Sequence, residues 1–157
     1  MAATEADLAG AVRVGPAVTG RMVVAALAVA GFFVSLYLTL FKLGFIGQLA
    51  CGSGSCDIVN LSAWGSLFGI PVAAWGMGYY ATLFTVAFAG VHERWLEHPM
   101  VPRLLLLLAA CGVLFSAYLT YLELFVIHAI CRWCVVSALI VLTIFAVVLL
   151  DRRTSRR

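Results

Sequence analysis

Charge is scarce in this chain. Only 11% of its 157 residues are Asp, Glu, Lys or Arg, and 64% are hydrophobic. Soluble domains of this size are about 45–50% apolar, so an ordinary water-soluble globule is excluded. The sequence has no internal repeat and no low-complexity segment. It also has no basic stripe on a polar domain, so its net charge of +3 is not a nucleic-acid signal. No histidine follows Cys134, which removes the c-type haem attachment motif.

What the chain has instead is long uncharged runs. Met22 to Phe41 and Leu67 to Val91 carry no charge at all. Pro102 to Leu122 carries one, Arg103, at its start, and Val135 to Leu150 reaches spanning length if extended back to about His128. A helix needs about 20 such residues to cross the hydrocarbon core. The pattern predicts an all-α membrane protein: a four-transmembrane-helix bundle with helices at about 22–43, 67–91, 102–123 and 128–150. Residues 44–66 form an outer loop with a short interfacial helix. Residues 1–20 read as a flexible cytoplasmic tail, 21–151 as one bundle domain and 152–157 as a basic cytoplasmic tail. The first run exceeds the 7–15 residues of a signal-peptide core, so it is expected to stay as a span, although Ala28-Val29-Ala30 loosely imitates a cleavage site.

The basic residues predict the orientation. Arg13, Arg21, Arg94, Arg103, Arg152, Arg153, Arg156 and Arg157 fall on one side, and only Lys42 and Arg132 on the other. Cytoplasmic loops collect Lys and Arg, which predicts both termini in the cytoplasm and the opposite side facing a periplasm, the cell exterior or a lumen. Glu93, Arg94 and Glu97, with His92 and His98, read as an ordinary solvated loop on the cytoplasmic side.

Four of the five cysteines form two close pairs on the opposite side, where disulfides persist. Cys51 and Cys56 bracket a Gly/Ser spacer that can fold back to the roughly 4.4–6.8 Å Cα separation of a disulfide. So short a loop constrains the unfolded chain little, which suits exchange better than architecture. Asp57 to Trp64 reads as a short helix, with Ile58, Leu61 and Trp64 at helical spacing. Cys56 at its start would gain thiolate character, opposed locally by Asp57. Cys131 and Cys134 form a Cys-x-x-Cys whose i, i+3 spacing puts both sulfurs on one side of a helix. With a helix beginning near His128, that pair occupies its positively polarised first turns, and Cys134 lies deeper, placed to meet a lipid-soluble acceptor such as a quinone.

Other readings stay open at this level. Four cysteines could hold zinc, although the spacing is imperfect for that metal. Two static structural disulfides in a non-catalytic membrane protein are the bland alternative. Cys111, in the middle of the third span, is expected to be an inert buried thiol. Glu123 and His128 flank the last outer turn and could relay protons, but interfacial polar residues need no function. Gly69, Ala73, Ala74, Gly76 and Gly78 give the second span a small-residue surface, for helix packing or for a cofactor groove.

The ordered set Cys51 … Cys56-Asp57 … Leu61-Ser62-Ala63-Trp64 … Phe68-Gly69-Ile70-Pro71 followed by Cys131-x-x-Cys134 resembles the vitamin K epoxide reductase family, bacterial branch, over about residues 22 to 150. The resemblance implies a four-helix bundle around a quinone. It implies that Cys51 forms a mixed disulfide with a secreted thioredoxin-like (Dsb-type) protein, that Cys56 attacks Cys131, and that Cys134 passes electrons to menaquinone or ubiquinone, with no metal. Ser62 matches a family position important for activity, and Phe68 and Trp133 are further candidates beside the quinone. The expected activity is that of a quinone-dependent thiol-disulfide oxidoreductase supporting disulfide bond formation; thiol-driven reduction of a quinone or its epoxide is the alternative direction. Quinone oxidases of the other architecture carry Cys-x-x-Cys first and the loop pair second, the reverse of the order here. Four residues after the second Cys of the motif, animal members carry a Tyr that contacts vitamin K; this chain has Ala138. Some bacterial members carry a fused thioredoxin-like domain, so the partner here is expected to be a separate protein.

Overall fold

The computed structural model describes residues 16–51, 55–96 and 98–154. Of the tails expected at 1–20 and 152–157, residues 1–15 and 155–157 lie outside the described residues, as does the Gly52-Ser53-Gly54 spacer of the loop pair; residues 16–20 and 152–154 are helical, continuing the first and last spans, rather than tail. In chain order the elements are helix α1 (Pro16–Lys42), short helix α2 (Ser55–Leu61), a 3₁₀ turn (Ala63–Gly65), strands β1 (Ser66–Leu67) and β2 (Ile70–Pro71), helix α3 (Val72–Ala89), short helix α4 (Glu93–Leu96), helix α5 (Met100–Leu122), a π-helical turn (Glu123–Ile127) and helix α6 (Arg132–Thr154).

Four helices are long and apolar enough to cross a membrane: Val18–Lys42, Val72–Ala89, Met100–Ile127 and Arg132–Arg153. Their outward faces carry large apolar side chains such as Phe33, Leu107, Leu114 and Leu139, which water would not tolerate as a continuous belt. Together they make an all-α membrane bundle. Inside it, Val24, Ala28, Tyr80, Leu83, Leu105, Ala109 and Ile144 form the main core. Small residues set the helix spacing there. A Cβ at Gly31 would collide with the Tyr80 ring, and one at Gly76 would lie 2.8 Å from Ser35 Oγ, so α1 and α3 approach closely because these glycines lack side chains.

Three helix starts differ from the sequence-based placement, the first being α1, which begins at Pro16 rather than near Met22. The second membrane helix begins at Val72, not near Leu67, because residues 66–71 turn back as a small antiparallel hairpin pairing Ser66 with Pro71 and Leu67 with Ile70. Phe68 and Gly69, at φ +54° and +79°, make its two-residue turn; positive φ at both positions matches the right-handed twist of paired strands. The last helix begins at Arg132, not near His128. The chain leaves α5 through the π turn, His128 adopts a left-handed conformation at φ +57°, and residues 128–131 are non-helical. A left-handed residue at a helix end stops the hydrogen-bond ladder from continuing.

At one end of the bundle, Arg21 of α1 donates to the Gly90 carbonyl at the end of α3 and interacts electrostatically with Asp151 of α6. A side chain at Gly20 would already touch Asp151, at 3.4 Å. The cysteine pairs sit at the other end.

Candidate functional site

The loop folds over the open end of the bundle and carries its disulfide with it. Cys51 and Cys56 are bonded, with Cα atoms 6.2 Å apart, inside the range such bonds require. Cys56 and Cys131 are each 0% exposed and Cys51 is 1% exposed, in a second buried cluster with Leu38, Phe41, Leu49 and Val59. Tyr37 of α1 anchors this arrangement: its hydroxyl accepts the Ala50 N–H at 2.9 Å and its ring meets Trp133 edge-on, with centroids 5.2 Å apart.

Asn60 connects the two cysteine pairs. Its side-chain amide donates to the Cys56 carbonyl at 3.0 Å and to Cys131 Sγ at 3.9 Å. Its own carbonyl, near the end of α2, accepts from Lys42 Nζ at the end of α1, where a cation suits a helix C-terminus. A Cβ at Gly65 would run into that same carbonyl, so the glycine lets the 3₁₀ turn close against α2.

Cys131 stands immediately before the first residue of α6, and its sulfur accepts the backbone N–H of Cys134 at 3.4 Å. The thiol thus occupies the place of an N-cap oxygen. The hydrogen bond from the Cys134 thiol, helped by backbone N–H groups, pulls the Cys131 pKa below the ordinary thiol value despite burial. A lowered pKa at a helix N-terminus raises the thiolate fraction, and the thiolate is the species that attacks disulfides. Glu123, 4% exposed in the π turn, accepts the Cys131 N–H on Oε2 at 3.0 Å, and its carboxyl also engages the Cys134 side chain.

Beneath Cys134 lies a cavity of about 300 Å³ between the helices, at the lower end of the usual range for small-molecule sites. Its wall is mainly apolar, with Leu38, Val72, Trp75, Phe115, Leu119 and Val141, and Glu123 and Cys134 meet it at the cysteine end. Tyr79 and Tyr80 line it with hydroxyls already turned to Leu108 O and to Ser137. Ala138 is on the same wall, where its small side chain leaves room. A flat apolar ring with polar edges fits this lining. Among the described residues, no three His, Cys, Asp or Glu side chains are arranged to hold a metal ion.

The sequence candidates divide accordingly. The four cysteines come together, three buried in one cluster and Cys134 opening on the cavity. Ser62 donates from Oγ to Val59 O at 2.7 Å, closing the end of α2. Trp133 packs within the cysteine cluster, with its indole N–H buried and without a partner. Phe68 is 88% exposed at the hairpin tip, away from the cavity wall. Cys111 is a correction: it is exposed rather than buried, because its face of α5 borders the cavity instead of a neighbouring helix. Asn60 and Glu123 carry more of the site than their sequence context suggests. A polar residue on a short loop helix and a carboxylate near a membrane edge are ordinary locally, and only the fold turns them onto Cys131.

The model of the family described as the vitamin K epoxide reductase family matches residues 22–149, which reaches into all four membrane helices and takes in both cysteine pairs. With four spans, a bonded loop pair and a free Cys-x-x-Cys converging over an apolar cavity, this chain belongs to the vitamin K epoxide reductase family and is a membrane oxidoreductase.

Proposed function

We propose that this protein oxidises an extracytoplasmic thioredoxin-like dithiol and passes the electrons to a membrane quinone, as the bacterial branch of the family would. The observation that carries this reading is the graded exposure of the four sulfurs: Cys134 alone of them lines the apolar cavity, while Cys131 and the Cys51–Cys56 bond are buried directly behind it. The bias of Lys and Arg toward the other side supports an orientation with these sulfurs outside and both termini in the cytoplasm.

A partner thiolate attacks Cys51, forming a mixed disulfide and releasing Cys56 as thiolate; the partner's second thiol then resolves it, leaving both loop cysteines reduced. Cys56 attacks the sulfur of Cys131 in an oxidised Cys131–Cys134 pair and releases Cys134; Cys51 completes the exchange and restores the loop disulfide. Two electrons then reside on Cys131 and Cys134, the thiol arrangement seen here, with the loop pair oxidised. The quinone accepts them at Cys134 and leaves as quinol. The Cys131 thiolate, stabilised at the α6 N-terminus, closes the disulfide onto Cys134 in that last step.

Anaerobic mixing of the purified protein with a reduced thioredoxin-like protein and a short-chain ubiquinone or menaquinone analogue tests the reading. Quinol should appear in proportion to dithiol consumed. Dithiol oxidation without quinol, or quinol at the wild-type rate from Cys134→Ala, overturns it.

A further inference from the structure

Glu123 is a buried carboxyl that the electron route leaves unused. It lies at the meeting point of three things: the backbone of Cys131, the side chain of Cys134 and the wall of the cavity. Burying such a group without a cation costs stability, and among the described residues no salt bridge compensates it. Its position is also an expense of backbone regularity, because the π turn from Glu123 to Ile127 interrupts the α-helical ladder at this residue. Such turns recur at functional sites.

We infer that Glu123 is the proton carrier between the Cys131–Cys134 dithiol and the acceptor in the cavity. This rests on the quinone reading above. Reduction of a quinone requires two electrons and two protons. The dithiol holds both: two S–H bonds break, one S–S bond forms, and two O–H bonds form on the quinol. The electrons leave through Cys134, but Cys131 is 0% exposed and has no path of its own to the cavity. The Glu123 carboxylate takes the proton that Cys131 loses on becoming thiolate and gives it to one quinone oxygen. Restored to carboxylate, it takes the proton of the Cys134 thiol and gives it to the second oxygen, as the Cys131 thiolate closes the disulfide onto Cys134. The carboxyl ends each turnover as it began, so no other acid or base is needed. The same carboxylate accepts the Cys131 N–H, which holds it beside both thiols throughout.

The groups that bear on its ionisation are few. Cys131 and Cys134 face it from the start of α6, and α2 brings Asp57 and the neutral amide of Asn60 to this end of the bundle. Lys42 is engaged with the Asn60 carbonyl. Because the carboxylate must be free to receive a proton, quinol formation should fall as pH drops through the Glu123 pKa.

Glu123→Gln keeps an oxygen for the Cys131 N–H and removes the proton-carrying function. Protein reduced with dithiothreitol, desalted anaerobically and mixed with a short-chain quinone analogue should form quinol about 10²–10⁴-fold more slowly than wild type, the range that general acid–base catalysis covers. The acid limb of its pH profile should vanish, and Glu123→Asp should recover part of the rate. Alkylation mass shifts should find that a thioredoxin-like dithiol still reduces Cys51–Cys56 in Glu123→Gln, which shows the variant to be folded. A Glu123→Gln protein with wild-type quinol rate and pH profile overturns the inference alone. Loss of loop-pair exchange in both Gln and Asp variants makes Glu123 structural and overturns it too. Wild-type protein that forms no quinol overturns the quinone reading and this inference with it.

Discussion

At the end of the bundle that holds Arg21, Gly90 and Asp151, three regular helices close on one another, and the void beside them is about 10 Å³, at the limit for a single water. At the cysteine end the helices stop being regular. A hairpin, a π turn, a left-handed His128 and a disulfide-bearing loop surround a cavity of about 300 Å³. A pair of charged residues, Arg21 and Asp151, serves packing at the first end, while polar groups at the second end face cysteine sulfurs. The contrast teaches that polar and charged residues in one membrane bundle can have opposite purposes. Arg21 holds a helix terminus, whereas Glu123 and Asn60 sit on Cys131.

The strongest way to break that contrast is Cys134→Ala. It should abolish quinol formation, followed by absorbance under anaerobic conditions, while the thermal unfolding midpoint moves little. Continued turnover would mean that the cavity end is not where the electrons leave. Next in size is Asn60→Ala, which removes the amide that links the Cys56 carbonyl to the Cys131 sulfur. A hydrogen bond is worth about 0.5–1.5 kcal/mol, so exchange between the two pairs, read by quenched alkylation, should slow several-fold, up to about tenfold. Unchanged exchange would reduce Asn60 to packing.

Arg21→Ala probes the opposite end. Loss of a charged hydrogen bond of about 1.5–3 kcal/mol should lower the unfolding midpoint by several degrees, with turnover per folded molecule unchanged. A loss of turnover at constant stability would show that the two ends are coupled.

A subtler effect concerns Cys131. Its depressed pKa means that thiolate is present at lower pH than for an ordinary cysteine, and the stabilisation it brings is lost as pH falls through the folded value. The main cause is the hydrogen bond from Cys134, so the pH midpoint of Cys131 alkylation should move up in Cys134→Ala. A midpoint that stays low would assign the effect to the helix terminus instead. Smallest of all is Cys111→Ala. Despite its place on the cavity wall it touches neither cysteine pair, and turnover should change by less than about twofold, within the ±0.5 kcal/mol of an unremarkable substitution.

Much of the fold was legible because its causes are local and long. Uncharged runs such as Met22–Phe41 have the length to cross a membrane whatever their neighbours do. The four cysteines were legible as well, since two close pairs stand out in any context. The helix starts were harder. Ile70-Pro71 suggests a first helical turn, and nothing local says that Phe68 and Gly69 will both take positive φ and fold the segment back as a hairpin. Near His128, an apolar stretch compatible with helix is broken by a π turn whose gain lies in where it sends Glu123. Cys111 looked buried because mid-span residues generally are, and a cavity on that side is a property of four helices rather than one.

The sequence by itself determined the solvent this protein requires, the number of its spans and its two close cysteine pairs, because hydrophobic length and cysteine spacing act within a single segment. Only the tertiary structure decided which sulfur meets the cavity and which groups attend the others. Asn60 reaches Cys131 from the loop across 71 positions, a distance that closes only when the bundle packs, whereas the π turn and the left-handed His128 fold Glu123 back onto Cys131 across 8.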